Sequence, residues 1–555
     1  MSNFAFFQYR RTFLITVFCA LLSIHTVQAQ VARPKLVVGL MIDQMRYDYL
    51  YRFADRYGED GFKRLLKDGF SCENTLINYI PAYTAIGHSS VYTGSVPSIH
   101  GISGNNFIIQ ATGQTMYCTQ DDDVKSIGAE GKVGQQSPRN LLASTITDEL
   151  KLATNFRSKV IGISIKDRGG ILPAGHFANA AYWFDGKSGN WISSSFYMEE
   201  LPDWVSKFNK KKLAEKYLKQ DWETLYPIRT YVNSIADDNR YEGKWAGEKT
   251  ATFPHKTSEL MKDVGLELIK STPYGNTLTL DLAREAIKSE KLGKNQPGVS
   301  DFLCVSLSST DIVGHRYSLS AVEIEDTYLR LDRDIASFLA YLDQTVGKDN
   351  YTIFLTADHA ASYNPLFYTD SKGNGGYLFT RQIQRELDQE LQHAFGHKKI
   401  IRSMWNYQVH LNYKLIDSLQ LDIAQIKQVI MNNLKQQDGV AYVLDMEAGD
   451  HNMFVPAAIR EKAINGYNRK RSGVIQIIAE PQWYSGNPRA TGTSHGVWSP
   501  YDAHIPLVFM GWGIKPGVSN KAVRIVDIAP TLASLLHVTE PNGNIGKPIV
   551  EVLGQ

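Results

Sequence analysis

Three aspartates and three histidines in this chain have the types and the surroundings of metal ligands. Asp43 closes the apolar run Leu36–Ile42, and Asp311 and His315 follow Phe302–Leu307 in Ser308-Ser-Thr-Asp311-Ile-Val-Gly-His315. Asp358 and His359 follow Tyr351–Thr356, whereas His495, in Gly492-Thr-Ser-His495-Gly, precedes the run Ile505–Met510. Carboxylate oxygen and imidazole nitrogen are donors that Zn²⁺ accepts. Six such groups suffice for two divalent ions per chain, and the mixed donors suit zinc better than magnesium. Paired ions are the usual machinery for displacement at phosphorus.

Displacement needs a nucleophile, and Thr84 is the candidate. Ile80-Pro-Ala-Tyr-Thr84-Ala-Ile-Gly-His reads as a turn entering a small-residue helix, with Thr84 at the N-cap or in the first turn. A hydroxyl there faces unpaired backbone N–H groups and the positive end of the helix dipole, which suits a phosphoryl anion. Taken alone, the segment reads first as a simple helix cap.

The elements that must gather these residues are short β-branched runs alternating with helical patterns. Strands are expected at Leu36–Ile42, Lys159–Ile165, Phe302–Leu307, Thr352–Thr356 and Pro506–Met510, all nearly continuously apolar. Such runs suit strands covered on both faces. Amphipathic stretches at Asn140–Ala153, Ala321–Tyr341 and Asp527–Leu536 predict helices. That order predicts an α/β fold, a mostly parallel sheet with helices on both faces. Ligands bind such sheets at the carboxyl ends of the strands. All the candidate ligands except His495 fall there. Two segments, about 182–297 and 364–484, interrupt the pattern and read as insertions capping that edge. The second contains helical patterns at Leu378–Phe395 and Ile423–Leu434 and strand candidates at Ala441–Leu444 and Val474–Ile478.

Arg10-Arg11, the apolar stretch from Phe13 and the small residues of Val27-Gln-Ala29 form a secretory signal peptide over residues 1–29. The mature region, 30–555, is then an exported, periplasmic catalytic domain with no stable membrane insertion. Losing Arg10 and Arg11 takes the formal charge from +2 to about zero. Nothing in that balance suggests a polyanion groove, so nucleic acid is not an expected partner. Cys72, Cys118 and Cys304 are too few for a disulfide scaffold. Cys304 reads as a core thiol, and Cys72 and Cys118 either pair in an oxidising compartment or stay free.

In motif order the chain resembles the alkaline phosphatase superfamily over nearly its whole mature length. An acidic ligand follows the first strand; the Thr84 segment, Asp311-x-x-x-His315, Asp358-His359 and the late His495 come after it. The resemblance implies that Asp311, His315 and His495 hold the ion that binds the leaving-group oxygen. By the same resemblance Asp43, Asp358 and His359 hold the ion that binds and deprotonates Thr84, a hydroxyl hardly ionised on its own. His100-Gly-Ile-Ser-Gly-Asn105 places an Asn after the nucleophile helix, and Lys166-Asp-Arg168 follows a strand. Asn105, Lys166 and Arg168 resemble the phosphate pocket of the phosphate-irrepressible, PafA-type alkaline phosphatases. The two basic residues would share one side if the strand continued through them. Asp48, Asp68, His88, His100 and His504 are expected in structural caps and ion pairs.

The chain departs from the best-known bacterial alkaline phosphatases, which use Ser and a third, magnesium-binding ligand set; two ions are expected here. Neither Cys72 nor Cys118 lies in the C/S-x-P-x-R motif that sulfatases of the superfamily need. The expected function is a zinc-dependent hydrolase of phosphate monoesters working through a phosphothreonine. The alternative is a nucleotide pyrophosphatase/phosphodiesterase with the same ligands. A catalytically silent phosphate- or glycan-binding protein would not need every catalytic element, and all of them are present.

Overall fold

The computed structural model describes residues 32–448, 452–487 and 489–554; the signal peptide expected over 1–29 lies outside the described residues. Ten strands form the main sheet: β1 (Leu36–Ile42), β2 (Gly69–Cys72), β3 (Ser126–Ile127), β4 (Val160–Ser164), β5 (Ala180–Asp185), β6 (Asn190–Ser194), β7 (Asp301–Leu307), β8 (Tyr351–Thr356), β9 (Leu507–Gly511) and β10 (Gly517–Ser519). Their order across the sheet is β10-β2-β9-β8-β1-β7-β4-β5-β6-β3. The five central strands from β8 to β5 run parallel. Every residue of β1, β4, β7 and β8 is buried, as expected for strands covered on both faces.

β9 runs antiparallel to β8, and this explains the placement of His495. In an antiparallel neighbour the amino end lies at the edge where the parallel strands finish. Chain that precedes β9 therefore reaches the same edge as chain that follows β1, β7 and β8.

The helices that frame this edge are α1 (Thr84–Thr93), α2 (Ile146–Ala153), α3 (Asp167–Ala174), α4 (Tyr274–Ser289), α5 (Ser309–Tyr317), α6 (Val322–Thr345) and α7 (Ile528–Leu536). α2 begins six residues later than the periodicity from Asn140 predicts, because Thr145 caps it. The Thr145 hydroxyl accepts from Asp148 N at 3.1 Å, and the Asp148 carboxylate accepts from Thr145 N at 3.0 Å. This capping box satisfies two donors at once and sets the start.

The aromatic-rich segment from Tyr182 opens inside the sheet, since Tyr182, Trp183 and Phe184 belong to β5. Further on, it folds back against α5: Gly243 N donates to Arg316 O at 2.8 Å, and Gly492 N donates to Tyr241 O at 2.7 Å. Residues 376–485 include a four-stranded antiparallel sheet, in the order Ile401–Trp405, Gln408–Leu411, Ile475–Ala479 and Val440–Asp445. With the helices Thr380–Phe395 and Ile423–Leu434 it encloses a separate apolar core. That core packs on Tyr83, directly before Thr84, and includes Val497, two residues after His495.

Cys72, Cys118 and Cys304 are separate buried thiols. The pairing open to Cys72 and Cys118 is not made, and burial pushes each of these thiols up to about 12.

α1 lies hard against the β8 edge. A Cβ on Gly87 would sit 2.2 Å from the carbonyl oxygen of Asp358. Gly87→Ala is expected to cost about 1–3 kcal/mol through overpacking and to lower activity further by pushing Thr84 away from Asp358. Thermal melts beside a turnover assay check this; an Ala variant with wild-type stability would show that the contact yields freely.

Candidate active site

The register of the central strands aligns Thr356, Met41, Ser306 and Ser164 in one row across β8, β1, β7 and β4. Two residues beyond that row stand Asp358, Asp43, Ser308 and Lys166, and Asp311 and His315 follow in α5. Ordinary parallel pairing thus delivers groups from four distant parts of the chain to one place.

There they form two clusters. His359 Nε2 is 3.5 Å from Asp43 Oδ1 and 3.3 Å from Asp358 Oδ2. Asp311 Oδ1 is 3.1 Å from His315 Nε2 and 3.7 Å from His495 Nε2. The His359 and His495 rings stack at 3.5 Å. Consequently two trios have donor atoms within 4.8 Å of one another, Asp43/Asp358/His359 and Asp311/His359/His495, with His359 common to both. His315 adjoins the second trio from the Asp311 side, and at 39 % side-chain exposure it faces solvent.

The donors are oriented as ligands are. Each histidine donates through Nδ1 to a backbone carbonyl: His315 to Thr493 at 2.8 Å, His359 to Ala360 at 3.0 Å and His495 to Ala82 at 2.7 Å. In a neutral ring such a bond fixes the tautomer and leaves the Nε2 lone pair aimed inward. Burial pushes His359 down to about 4, and burial with the neighbouring His359 and His315 lowers His495 well below its ordinary value, so both rings are neutral and able to ligate. Asp43 Oδ1 and Asp358 Oδ2 are buried without a hydrogen-bond partner among the described residues. An orphaned buried carboxylate oxygen is costly unless a cation meets it. The donor set therefore fits a pair of divalent ions.

Thr84 is the first residue of α1, and the cap position belongs to Tyr83. Its hydroxyl is buried and lies 3.4 Å from His359 Nε2, so it faces the clusters rather than capping the helix. Asn105 anchors the same first turn, its Oδ1 accepting from Ala85 N at 3.0 Å. Lys166 donates to Asp43 Oδ2 and Asp311 Oδ2, both at 2.6 Å, and so bridges the clusters. Burial opposes its charge, but these two carboxylates hold its pKa above the usual lysine value.

Lys166 and Arg168 do not alternate along a strand. β4 stops at Ser164, Lys166 caps α3, and Arg168 is the second residue of that helix. What brings Arg168 in is Tyr117, whose hydroxyl accepts from Arg168 Nη1 at 3.0 Å and donates to Asp167 Oδ1 at 2.6 Å. Tyr117 ends a hairpin, Asn106–Ile109 with Gln114–Tyr117, whose base Asn105 begins.

The residues expected in structural roles have structural partners. Asp48 pairs with Arg46, Asp68 with Arg64 and Lys348, and His504 bonds to the Glu73 carbonyl. His100 accepts from Ile102 N. His88 lies nearer the chemistry, because it bridges Thr84 O and Ser306 Oγ at 2.8 Å each and reaches Asp358 Oδ2 at 3.5 Å. Sequence reasoning passed over Gln44 and Tyr117. Adjacency to Asp43 was the one signal for Gln44, and none pointed to Tyr117.

A family model described as type I phosphodiesterase / nucleotide pyrophosphatase matches residues 37–502. A Myroides odoratus protein named calcium-transporting ATPase is 61% identical over 98% of this chain and 99% of its own length. The alkaline phosphatase PhoV of Synechococcus elongatus is 51% identical, with 94% of each chain covered. The alkaline phosphatase PafA of Elizabethkingia meningoseptica is 47% identical, with 95% of each chain covered. The wild-type PafA crystal structure superposes with a TM-score of 0.91 over 94% of this chain and all of that one. A solved PafA variant, altered at one Thr, one Asn, one Lys and one Arg, matches at 46% identity with the same TM-score. The chain belongs to the type I phosphodiesterase / nucleotide pyrophosphatase family of the alkaline phosphatase superfamily, and within it to the group that holds PafA and PhoV.

Proposed function

We propose that this phosphate monoester hydrolase works with two zinc ions and Thr84 as nucleophile, and that it is exported to scavenge phosphate. The observation that carries the reading is Lys166, held 2.6 Å from a carboxylate of each cluster, beside a buried Thr84 hydroxyl. The residue types altered in the solved PafA variant, Thr, Asn, Lys and Arg, match Thr84, Asn105, Lys166 and Arg168. Asp311, His315 and His495 would hold one ion and Asp43, Asp358 and His359 the other. Bound there, zinc supplies the Lewis acidity that lowers the pKa of a hydroxyl and offsets charge on a departing oxygen.

The residues of the chain do the rest. Thr84 Oγ1 forms a bond to phosphorus as the bond to the alcohol oxygen breaks, and the alcohol leaves with a proton. Water then cleaves the phosphothreonine, restoring the Thr84 hydroxyl and releasing inorganic phosphate. Arg168 Nε is buried and without a partner among the described residues, which leaves it for a phosphoryl oxygen. Lys166 adds a second cation and the amide nitrogen of Asn105 a further donor. A monoester presents about two negative charges and three free oxygens, and these groups match that demand. A diester has one charge, and its second substituent would meet Lys166 and Arg168.

The family model's description keeps phosphodiester substrates as the second reading. The basic and apolar start of the chain supports export, and among the described residues no helix is long and apolar enough to cross a membrane.

Thr84→Ala is expected to lose most of the rate with the fold intact, and Thr84→Ser to keep much of it. Acid quenching during turnover should trap phosphate on the peptide containing Thr84; near-normal turnover by the Ala variant would end its role. For the substrate class, p-nitrophenyl phosphate should be hydrolysed far faster than bis-p-nitrophenyl phosphate. Lys166→Ala and Arg168→Ala should each cost about 10²–10³ in monoester rate and far less in diester rate. Equal losses on both substrates, or a faster diester, would favour the phosphodiesterase reading.

Zinc loading should also depend on pH. Burial and the neighbouring Asp358 push the Asp43 carboxyl up to about 7, although Lys166 pulls it down. Ligation needs the carboxylate, so affinity rises with pH through that value. Between pH 8 and pH 6 it should fall about tenfold from this group alone. Chelator competition at the two pH values measures it, and a flat profile would remove Asp43 from the ligand set.

A further inference from the structure

Gln44 touches a carboxylate of each cluster by two different parts of the same residue. Its backbone N–H donates to Asp358 Oδ1 at 3.1 Å, and its side-chain amide donates to Asp311 Oδ1 at 2.6 Å. Asp358 Oδ1 also accepts from His359 N at 3.0 Å, so two main-chain donors pin that oxygen and leave Oδ2 turned toward His359 Nε2 without a hydrogen-bond partner among the described residues. Asp311 Oδ1 is the oxygen that faces His315 Nε2 and His495 Nε2. The Gln44 amide therefore grips the oxygen of the second cluster that points at its histidines.

The orientation of that amide is well determined. A carboxylate only accepts, so the NH₂ end must face Asp311. The carbonyl end packs against α5, where a Cβ on Gly314 would lie 2.0 Å from Gln44 Oε1. Gln44 is 2% exposed and has a φ of +67°, a conformation that L residues other than Asn and Asp rarely adopt. Held strain of this kind collects where surrounding contacts over-determine a residue.

We infer that Gln44 is a positioning residue for both metal sites, acting on one through its main chain and on the other through its side chain. Removing the side chain then weakens only the ion held by Asp311, His315 and His495, because the N–H to Asp358 survives any substitution except proline. The inference rests on the two-ion reading above. Loss of an outer contact to a ligand typically costs about 10–100-fold in metal affinity.

The test is zinc binding by the purified protein, read by metal analysis after dialysis and by chelator competition, for wild type, Gln44→Ala and Gln44→Gly. Wild type should retain two zinc ions per chain. Both variants should retain one with wild-type affinity and bind the other about 10–100-fold more weakly. The unaltered tight site also reports that each variant is folded. Glycine relieves the positive φ that alanine does not, so equal weakening assigns the effect to the lost amide. If Gln44→Gly recovers wild-type affinity at both sites, or if the variants lose both ions together or neither, the inference is overturned. If wild type itself holds fewer than two ions, the two-ion reading falls first and takes this inference with it.

Discussion

Asp43, Asp311 and Asp358 are three carboxylates buried within one small volume, each at most 3% exposed. In a medium of low effective dielectric their mutual repulsion and lost hydration cost several kcal/mol for each uncompensated charge. Much of the surrounding structure is the answer to that cost. Asp358 takes two main-chain donors on one oxygen, Asp311 takes Gln44 on one oxygen and Lys166 on the other, and Asp43 shares Lys166. Burial would raise Asp311, but His315 and Lys166 hold it well below the usual carboxylate range, while Asp43 stays raised to about 7. The compensation is incomplete: Asp43 Oδ1 and Asp358 Oδ2 have no hydrogen-bond partner among the described residues. The deficit in positive charge is thus concentrated at the edge where the Thr84 hydroxyl arrives.

Much of this was legible in the sequence because it is local. An apolar run ended by an acid states both a buried strand and the group at its end. β1 follows the expected bounds without change, and β4, β7, β8 and β9 shift by a residue or so. Direction is different, since an apolar run reads the same for either polarity. That is why His495 looked like an exception until β9 proved antiparallel. A spacing of two between Lys166 and Arg168 fits a strand as well as a helix start, and the end of β4 at Ser164 decides it.

Contacts made only in three dimensions left no mark. The stacking of His359 on His495 makes His359 common to both trios, yet the residues are far apart in the chain. Gln44 reads as a polar residue after a strand, and Tyr117 as one more aromatic in a hairpin. Tyr182, Trp183 and Phe184 look like an inserted segment by composition, but β5 buries them in the main sheet.

The antiparallel placement of β9 bears on the order in which the molecule can be completed during synthesis. Asp43 and His495 lie 452 positions apart, so the first and last members of the two trios emerge from the ribosome a long interval apart. β8 can pair with β1 well before β9 exists, but its other side stays an open edge until residues 507–511 arrive. Pairings of such sequence separation are slow, and exposed edges invite wrong partners. A chain halted between Asp358 and His495 would carry the three acids without the imidazole that closes the second trio. Both trios are complete only once the chain has passed His495, so a late segment closes the site that the first strand begins.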